Sequence, residues 1–155
     1  MSDTRLASGT GVPFDALQVG DGFQGRGRTV TEADVVAFAG LTGDYHPQHT
    51  DQQWASASAF GERIAHGMLV LSFAVGLAPI DPEYVLALRR VEDAVFKRPV
   101  RLGDTIRLDG QISELKPLSE DAGLVTWAWT IRNQDAELVM RAKVQVLWRR
   151  TAPAA

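Results

Sequence analysis

Nine residues, Gly43-Asp-Tyr-His-Pro-Gln-His-Thr-Asp51, hold two of the three histidines in the 155-residue chain, together with two aspartates and a proline. Three chemistries are open to such a stretch. It can be a polar turn between helices in which Asp44 caps the backbone and both imidazoles are solvated. It can be a metal site, since His46 and His49 are three apart with Asp44 beside them. Pro47 weighs against that reading, because it interrupts the helical repeat that would bring both rings to one face. It can also be an acid/base pair, a carboxylate and an imidazole on adjacent turns that position one water and move its proton. An imidazole titrates near neutrality and a neighbouring carboxylate can orient it.

A second candidate is Ala65-His66-Gly67-Met68, at the start of a long apolar run. Glycine lets a carbonyl oxygen approach the backbone closely, and helix-opening N–H groups aim the positive end of the helix dipole at it. Such a site would hold the enolate of a thioester. The other reading is that Gly67 permits close helix–sheet packing and His66 bonds to a loop. A third motif, Gly20-Asp-Gly22-Phe-Gln-Gly25, matches the spacing of a dinucleotide fingerprint. It lacks the required context of a strand before it and a helix opening within it. The residues that follow, Arg26-Gly-Arg-Thr-Val30, are extended in character, so the run reads as a turn entering a strand.

The elements that must position these residues follow from periodicity. Thr31 and Asp34 form a capping box ahead of a short helix over Thr31 to Leu41 that ends near Gly40 or Gly43. Another helix start at Thr50-Asp51-Gln52-Gln53 puts Asp44 in the loop between two helices and His49 immediately before the second. Ile64 to Ala78 is apolar on nearly every side, about 15 residues long and stopped by Pro79, and reads as a helix engulfed by the fold. Four strand-like stretches come after it: Tyr84 to Phe96, Thr105 to Leu115, Leu124 to Asn133 and Leu138 to Trp148. Alternation is clear in Val125-Trp127-Trp129-Ile131 and Val144-Val146-Trp148. With an early strand near Phe23 to Val30, the expected fold is α+β, an antiparallel sheet of about five strands wrapped around a long central helix.

Bulk composition removes other classes. A hydrophobic fraction of 45%, a charged fraction of 23% and a net charge of −3 suit one globular domain and give no cationic stripe for nucleic acid. The absence of cysteine excludes disulfides, a thiolate nucleophile and a cysteine-containing zinc site. The first residues lack the apolar core of a signal peptide, and the run from Gly67 to Ile80 is shorter than the roughly 18 residues of a membrane span. The expectation is a cytoplasmic protein that engages neither nucleic acid nor membrane. A single domain is expected over 13–149, with flexible ends at 1–12 and 150–155.

Three ordered motifs resemble one family. The stretch Phe38-Ala-Gly-Leu-Thr-Gly-Asp-Tyr-His-Pro-Gln-His-Thr-Asp51 is similar to the hydratase-2 motif of the MaoC-like (R)-specific enoyl-CoA hydratases. Ile64-Ala-His-Gly-Met68 is similar to that family's opening of the central helix. Phe96-Lys-Arg-Pro-Val-Arg-Leu-Gly-Asp-Thr105 is similar to the phrase leading into its next strand. The resemblance covers roughly Phe14 to Trp148 and implies a hot-dog fold. It also implies Asp44 and His49 as the acid/base pair, Gly67 as the backbone donor to the thioester carbonyl, and no metal. Reversible hydration of a trans-2-enoyl thioester to the (R)-3-hydroxyacyl thioester is the implied reaction. Coenzyme A or an acyl carrier protein enters as part of the substrate, with no separate cofactor.

Two positions depart from the family pattern. His46 stands where the family has Asn, and Gln48 where it has an aliphatic residue. His46 and His66 are the expected substrate-binding neighbours of the pair. The resemblance implies a homodimer, and the Trp127 and Trp129 face of the C-terminal strands offers a surface for it. Lys97, Arg98 and Arg101 could meet coenzyme A phosphates or form a solvated basic edge. Trp54, Phe60 and Phe73 could narrow the acyl pocket or pack in the core. A hot-dog thioesterase using Glu62 and a non-catalytic acyl-thioester-binding subunit are the alternative functions.

Overall fold

The computed structural model describes residues 11–151. The expected flexible ends lie largely outside that range. Within it, Val12 is anchored by Trp148, whose Nε1–H donates to its carbonyl at 2.9 Å, and Arg150 pairs with Asp15 at 3.0 Å.

A 3-10 turn at Phe14–Ala16 leads into β1 (Gly22–Thr29). Helices α1 (Glu32–Thr42), α2 (Pro47–Thr50), α3 (Gln52–Ser56) and α4 (Gly67–Leu77) follow, then strands β2 (Val85–Phe96), β3 (Thr105–Pro117), β4 (Ala122–Arg132) and β5 (Leu138–Arg149). All five strands form one antiparallel sheet in the order β1-β3-β4-β5-β2. The glycine run at Gly20 is a turn, with Gly20 at φ 97°, and Gly22 opens β1 as expected from the extended residues after it.

The core lies between one face of the sheet and α4. Leu69, Val70, Leu71 and Ala74 of the helix join Ile106, Leu108 and Ile112 of β3, Val125, Trp127, Trp129 and Ile131 of β4, and Val144 and Trp148 of β5. Each fully buried aliphatic or aromatic side chain contributes roughly 1.5–3 kcal/mol relative to an exposed one. Burial of Trp127 and Trp129 corrects the expectation that they form an association surface: the inward face of β4 uses them as core.

Three other expectations about the helices are corrected. The central helix is 11 residues long and begins at Gly67. Ile64 and Ala65 are extended instead, because Ile64 bridges to Arg101 and Ala65 N–H bonds to the Val100 carbonyl at 2.8 Å. The helix is also not enclosed on all sides, for Met68, Ser72 and Gly76 leave a stripe open to solvent at i, i+4 and i+8. Finally, His49 lies within a helix rather than before one. Pro47 starts α2 at its first position, where the missing N–H is harmless and the fixed φ is already helical.

Candidate active site

Local capping sets the course of the chain through the site. Thr31 and Asp34 form the expected capping box, with Thr31 N–H donating to Asp34 at 2.8 Å and Asp34 N–H to the Thr31 hydroxyl at 3.3 Å. Such a cap stabilises a helix by about 1 kcal/mol. At its other end α1 stops on Gly43, whose left-handed φ of 79° suits glycine and turns the chain into Asp44. Asp44 Oδ1 accepts from His46 N–H at 3.2 Å, and the His46 Nδ1 accepts from Gln48 N–H at 3.1 Å, so the His46 ring caps α2. Asp51 then caps α3 through Trp54 N–H at 2.9 Å.

These caps deliver His49 to a defined place. Its Nδ1 lies 2.7 Å from the Ile64 carbonyl. A carbonyl only accepts, so Nδ1 carries the proton and Nε2 keeps a free lone pair. The ring is half-buried, and its pKa is lowered below the ordinary imidazole value, chiefly by desolvation. The Ile64 carbonyl opposes that shift, nearby His66 lowers the pKa further, Asp44 raises it and His46 lowers it. The net result is a neutral base.

His66 stacks on His49 with ring centroids 3.8 Å apart and planes at 26°, and its Nε2 lies 3.0 Å from the Asp44 carbonyl. Nitrogens of both rings and an Asp44 carboxylate oxygen fall within 4.8 Å of one another, the one such group among the described residues. His49 Nδ1 and His66 Nε2 are each turned to a backbone carbonyl, which leaves one nitrogen per ring as a possible metal ligand. The separation suits one water bonded to both the carboxylate and His49.

A cavity of about 470 Å³ adjoins this cluster, and His49, Gly67, Gln48, Phe60, Phe96 and Lys97 are among its lining residues. Gly67 is the first residue of α4, and its N–H has no partner among the described residues, since His66 supplies no side-chain cap. A Cβ here would meet the Phe96 ring at 2.9–3.1 Å, so glycine is required for that approach. The cavity thus has an uncapped helix N-terminus and a neutral imidazole in its wall. Hydrogen-bond donors and an adjacent base are the parts needed where a thioester carbonyl gains negative charge.

The remaining candidates separate. Asp44 is exposed beside the cavity, and His46 is exposed with its ring edge-on to Trp54 at 5.4 Å; neither forms part of the wall. His66 is 2% exposed and lies outside the wall. Phe60 lines the cavity, while Phe73 sits beneath the Arg28 guanidinium at 3.6 Å, away from it. Arg98 also lines the cavity and lies 3.6 Å from Glu137. Glu62, the carboxylate a thioesterase would use, is paired with Arg101 outside the cavity. Sequence reasoning missed Ile64 and Phe96 as site residues. The Ile64 contribution is a backbone carbonyl, invisible in a side-chain pattern, whereas Phe96 opens the Phe96-Lys-Arg-Pro motif and could have been found there.

A single antiparallel sheet packed on a helix whose free N-terminus shares a cavity wall with an imidazole has the architecture of a hot-dog protein. A 21% identical protein from Mycobacterium tuberculosis, described as having a double hot-dog fold, superposes with a TM-score of 0.83 over 94% of this chain and 46% of that one. The chain belongs to the MaoC-like domain family, whose profile matches residues 16–128. It is 43% identical over 98 residues to the protein MaoC of Klebsiella aerogenes, covering 61% of this chain and 29% of that protein. It is 34% identical over 90 residues to an (R)-specific enoyl-CoA hydratase of Rhodospirillum rubrum, covering 58% and 62%. The chain therefore spans less than two thirds of the length of either relative. A monoamine oxidase regulatory protein from Archaeoglobus fulgius is 40% identical, with a TM-score of 0.85 over 90% of this chain and 95% of that one.

Proposed function

We propose that the protein is a hydro-lyase that adds water reversibly to a trans-2-enoyl thioester and forms the (R)-3-hydroxyacyl thioester. The observation that carries this reading is the shared cavity wall of His49, with Nε2 unengaged, and Gly67, with its N–H free. Asp44 and His49 hold the water. His49 Nε2 takes one proton as the oxygen bonds to the β-carbon, and the double-bond electrons move toward the carbonyl oxygen at Gly67. The imidazolium then returns the proton to the α-carbon, so one O–H bond breaks while one C–O and one C–H bond form. No cofactor or metal takes part. The assignment of an (R)-specific enoyl-CoA hydratase to the Rhodospirillum rubrum relative supports the choice of substrate.

The same reading includes a second copy of the chain. Strand β2 is an edge strand of 12 residues with Leu86, Leu88, Val91 and Phe96 exposed, and α4 leaves its Met68, Ser72 and Gly76 stripe uncovered. An unpaired edge and an unpaired helix stripe are surfaces that a homodimer would cover. The substrate's carrier is coenzyme A or an acyl carrier protein, with a phosphate that Lys97 at the cavity can meet. The setting proposed is cytoplasmic; among the described residues no helix is long and apolar enough to cross a membrane.

The test is the loss of enoyl-thioester ultraviolet absorbance on mixing with crotonyl-CoA and with longer trans-2-enoyl-CoA substrates. Wild-type protein should consume the absorbance, whereas Asp44→Asn and His49→Ala should each retain less than about 1% of the turnover. Near-full turnover in either folded variant would overturn the assignment.

A further inference from the structure

His66 is the side chain in this neighbourhood that hydration leaves without a task. Its Nε2 lies 3.0 Å from the Asp44 carbonyl, which can only accept, so Nε2 bears the ring proton and Nδ1 is a bare lone pair. That nitrogen is fully buried and meets no donor. One face of the ring stacks on His49 at 3.8 Å, and Phe38 lies against it in a tilted contact at 5.0 Å. A phenyl ring would fill the same space without leaving a buried nitrogen unpaired, which is a destabilising defect. Histidine must be there for its one engaged atom.

That atom controls the loop of Asp44. Asp44 is exposed, and the bonds of its own segment are local: Asp44 N–H to the Thr42 hydroxyl and His46 N–H to Asp44 Oδ1, both at 3.2 Å, Tyr45 N–H to the Gly43 carbonyl at 3.1 Å, and the Thr50 hydroxyl to the Tyr45 carbonyl at 3.1 Å. The tie from His66 is the contact that joins this loop to the start of α4, and the same ring sets the plane of His49. We propose that His66 is a positioning residue, an imidazole that holds the Asp44 loop and the His49 ring in register with each other and with Gly67. This rests on the reading of Asp44 and His49 as the reacting pair. Misplacing a catalytic group by about 1 Å can cost on the order of 10²-fold in rate.

Three substitutions separate this role from simple core packing. His66→Phe keeps an aromatic face and loses the tie. His66→Gln places an amide N–H near the Nε2 position, whereas His66→Asn is equally polar but stops short of the Asp44 carbonyl. Hydration of crotonyl-CoA should show kcat reduced about 10–100-fold in the Phe and Asn variants, with KM within about threefold of wild type, and largely restored in the Gln variant. Nuclear spin relaxation gives a readout that does not depend on turnover. The backbone order parameters of Asp44 and Tyr45 should fall from about 0.85 toward about 0.6 in the Phe and Asn variants and stay high in the Gln variant. Wild-type kcat and loop order in folded Phe or Asn variants would overturn the proposal, as would a Gln variant no better than Asn. Failure of the wild type to hydrate any enoyl thioester would instead overturn the functional reading, and the order parameters would still decide the role of His66.

Discussion

His49 donates its Nδ1–H to the carbonyl of Ile64 at 2.7 Å, across a sequence gap of 15 residues. This bond selects the tautomer of the ring and sets which nitrogen acts as base. It also explains why Ile64 is extended instead of helical: as the first residue of a helix, it would direct its carbonyl along the helix axis, away from His49. The strand-like bridge of Ile64 to Arg101 and the bond of its N–H to Gln48 at 3.2 Å hold that carbonyl in place.

The pH dependence follows from this environment. Burial lowers the His49 pKa, so the base stays unprotonated to lower pH than a free imidazole would. The acid limb of kcat/KM should lie below about 6.5, the ordinary imidazole value. His46 is among the groups that lower the His49 pKa, so His46→Asn should move the limb to higher pH while preserving the cap on α2, since Asn is also a good N-cap. A pH–rate profile with its acid limb above 6.5 in the wild type would contradict the assignment of His49 as a half-buried neutral base.

Gly67 and Phe96 make a second prediction. A methyl group at residue 67 would sit 2.9–3.1 Å from the Phe96 ring, too close to leave both in place. Gly67→Ala should displace the ring or the start of α4 and move the N–H away from the thioester oxygen. Loss of one such donor costs about 10²–10³-fold in kcat. The double variant Gly67→Ala, Phe96→Ala should recover part of that loss, because the colliding ring is gone. Absence of recovery, with both proteins folded, would show that the effect of the methyl group does not pass through Phe96.

Much of this architecture is legible in the residues, and the failures have physical causes. The β4 alternation of Val125, Trp127, Trp129 and Ile131 identifies an inward face because strand periodicity is local. The capping box of Thr31 and Asp34 is likewise a contact within one turn. The start of α4 is not local: Ile64 and Ala65 are as apolar as the helix itself, and only their bonds to Gln48 and Val100 make them extended. Pro47 reads as a breaker until its place at the first position of α2 is seen. Asp44, His49 and Gly67 can be named from motifs, but the stacking of His66 on His49 depends on bringing α2 and α4 together, which no spacing encodes.

The exposed stripe of α4 gives the last prediction. Gly76 is open to solvent and a Cβ built on it meets nothing within 4 Å, so a side chain fits the isolated fold. Replacing glycine by a good helix former within α4 should stabilise the single chain by up to about 1 kcal/mol. Gly76→Ala should therefore raise Tm. Gly76→Arg has the same backbone benefit but puts a long cation on the stripe that the second copy is proposed to cover. Light scattering should then report a dimer for the wild type and Gly76→Ala, and a shift to monomer for Gly76→Arg with its fold retained. A Gly76→Arg protein that remains fully dimeric would move the interface away from α4 and leave the β2 edge to account for it.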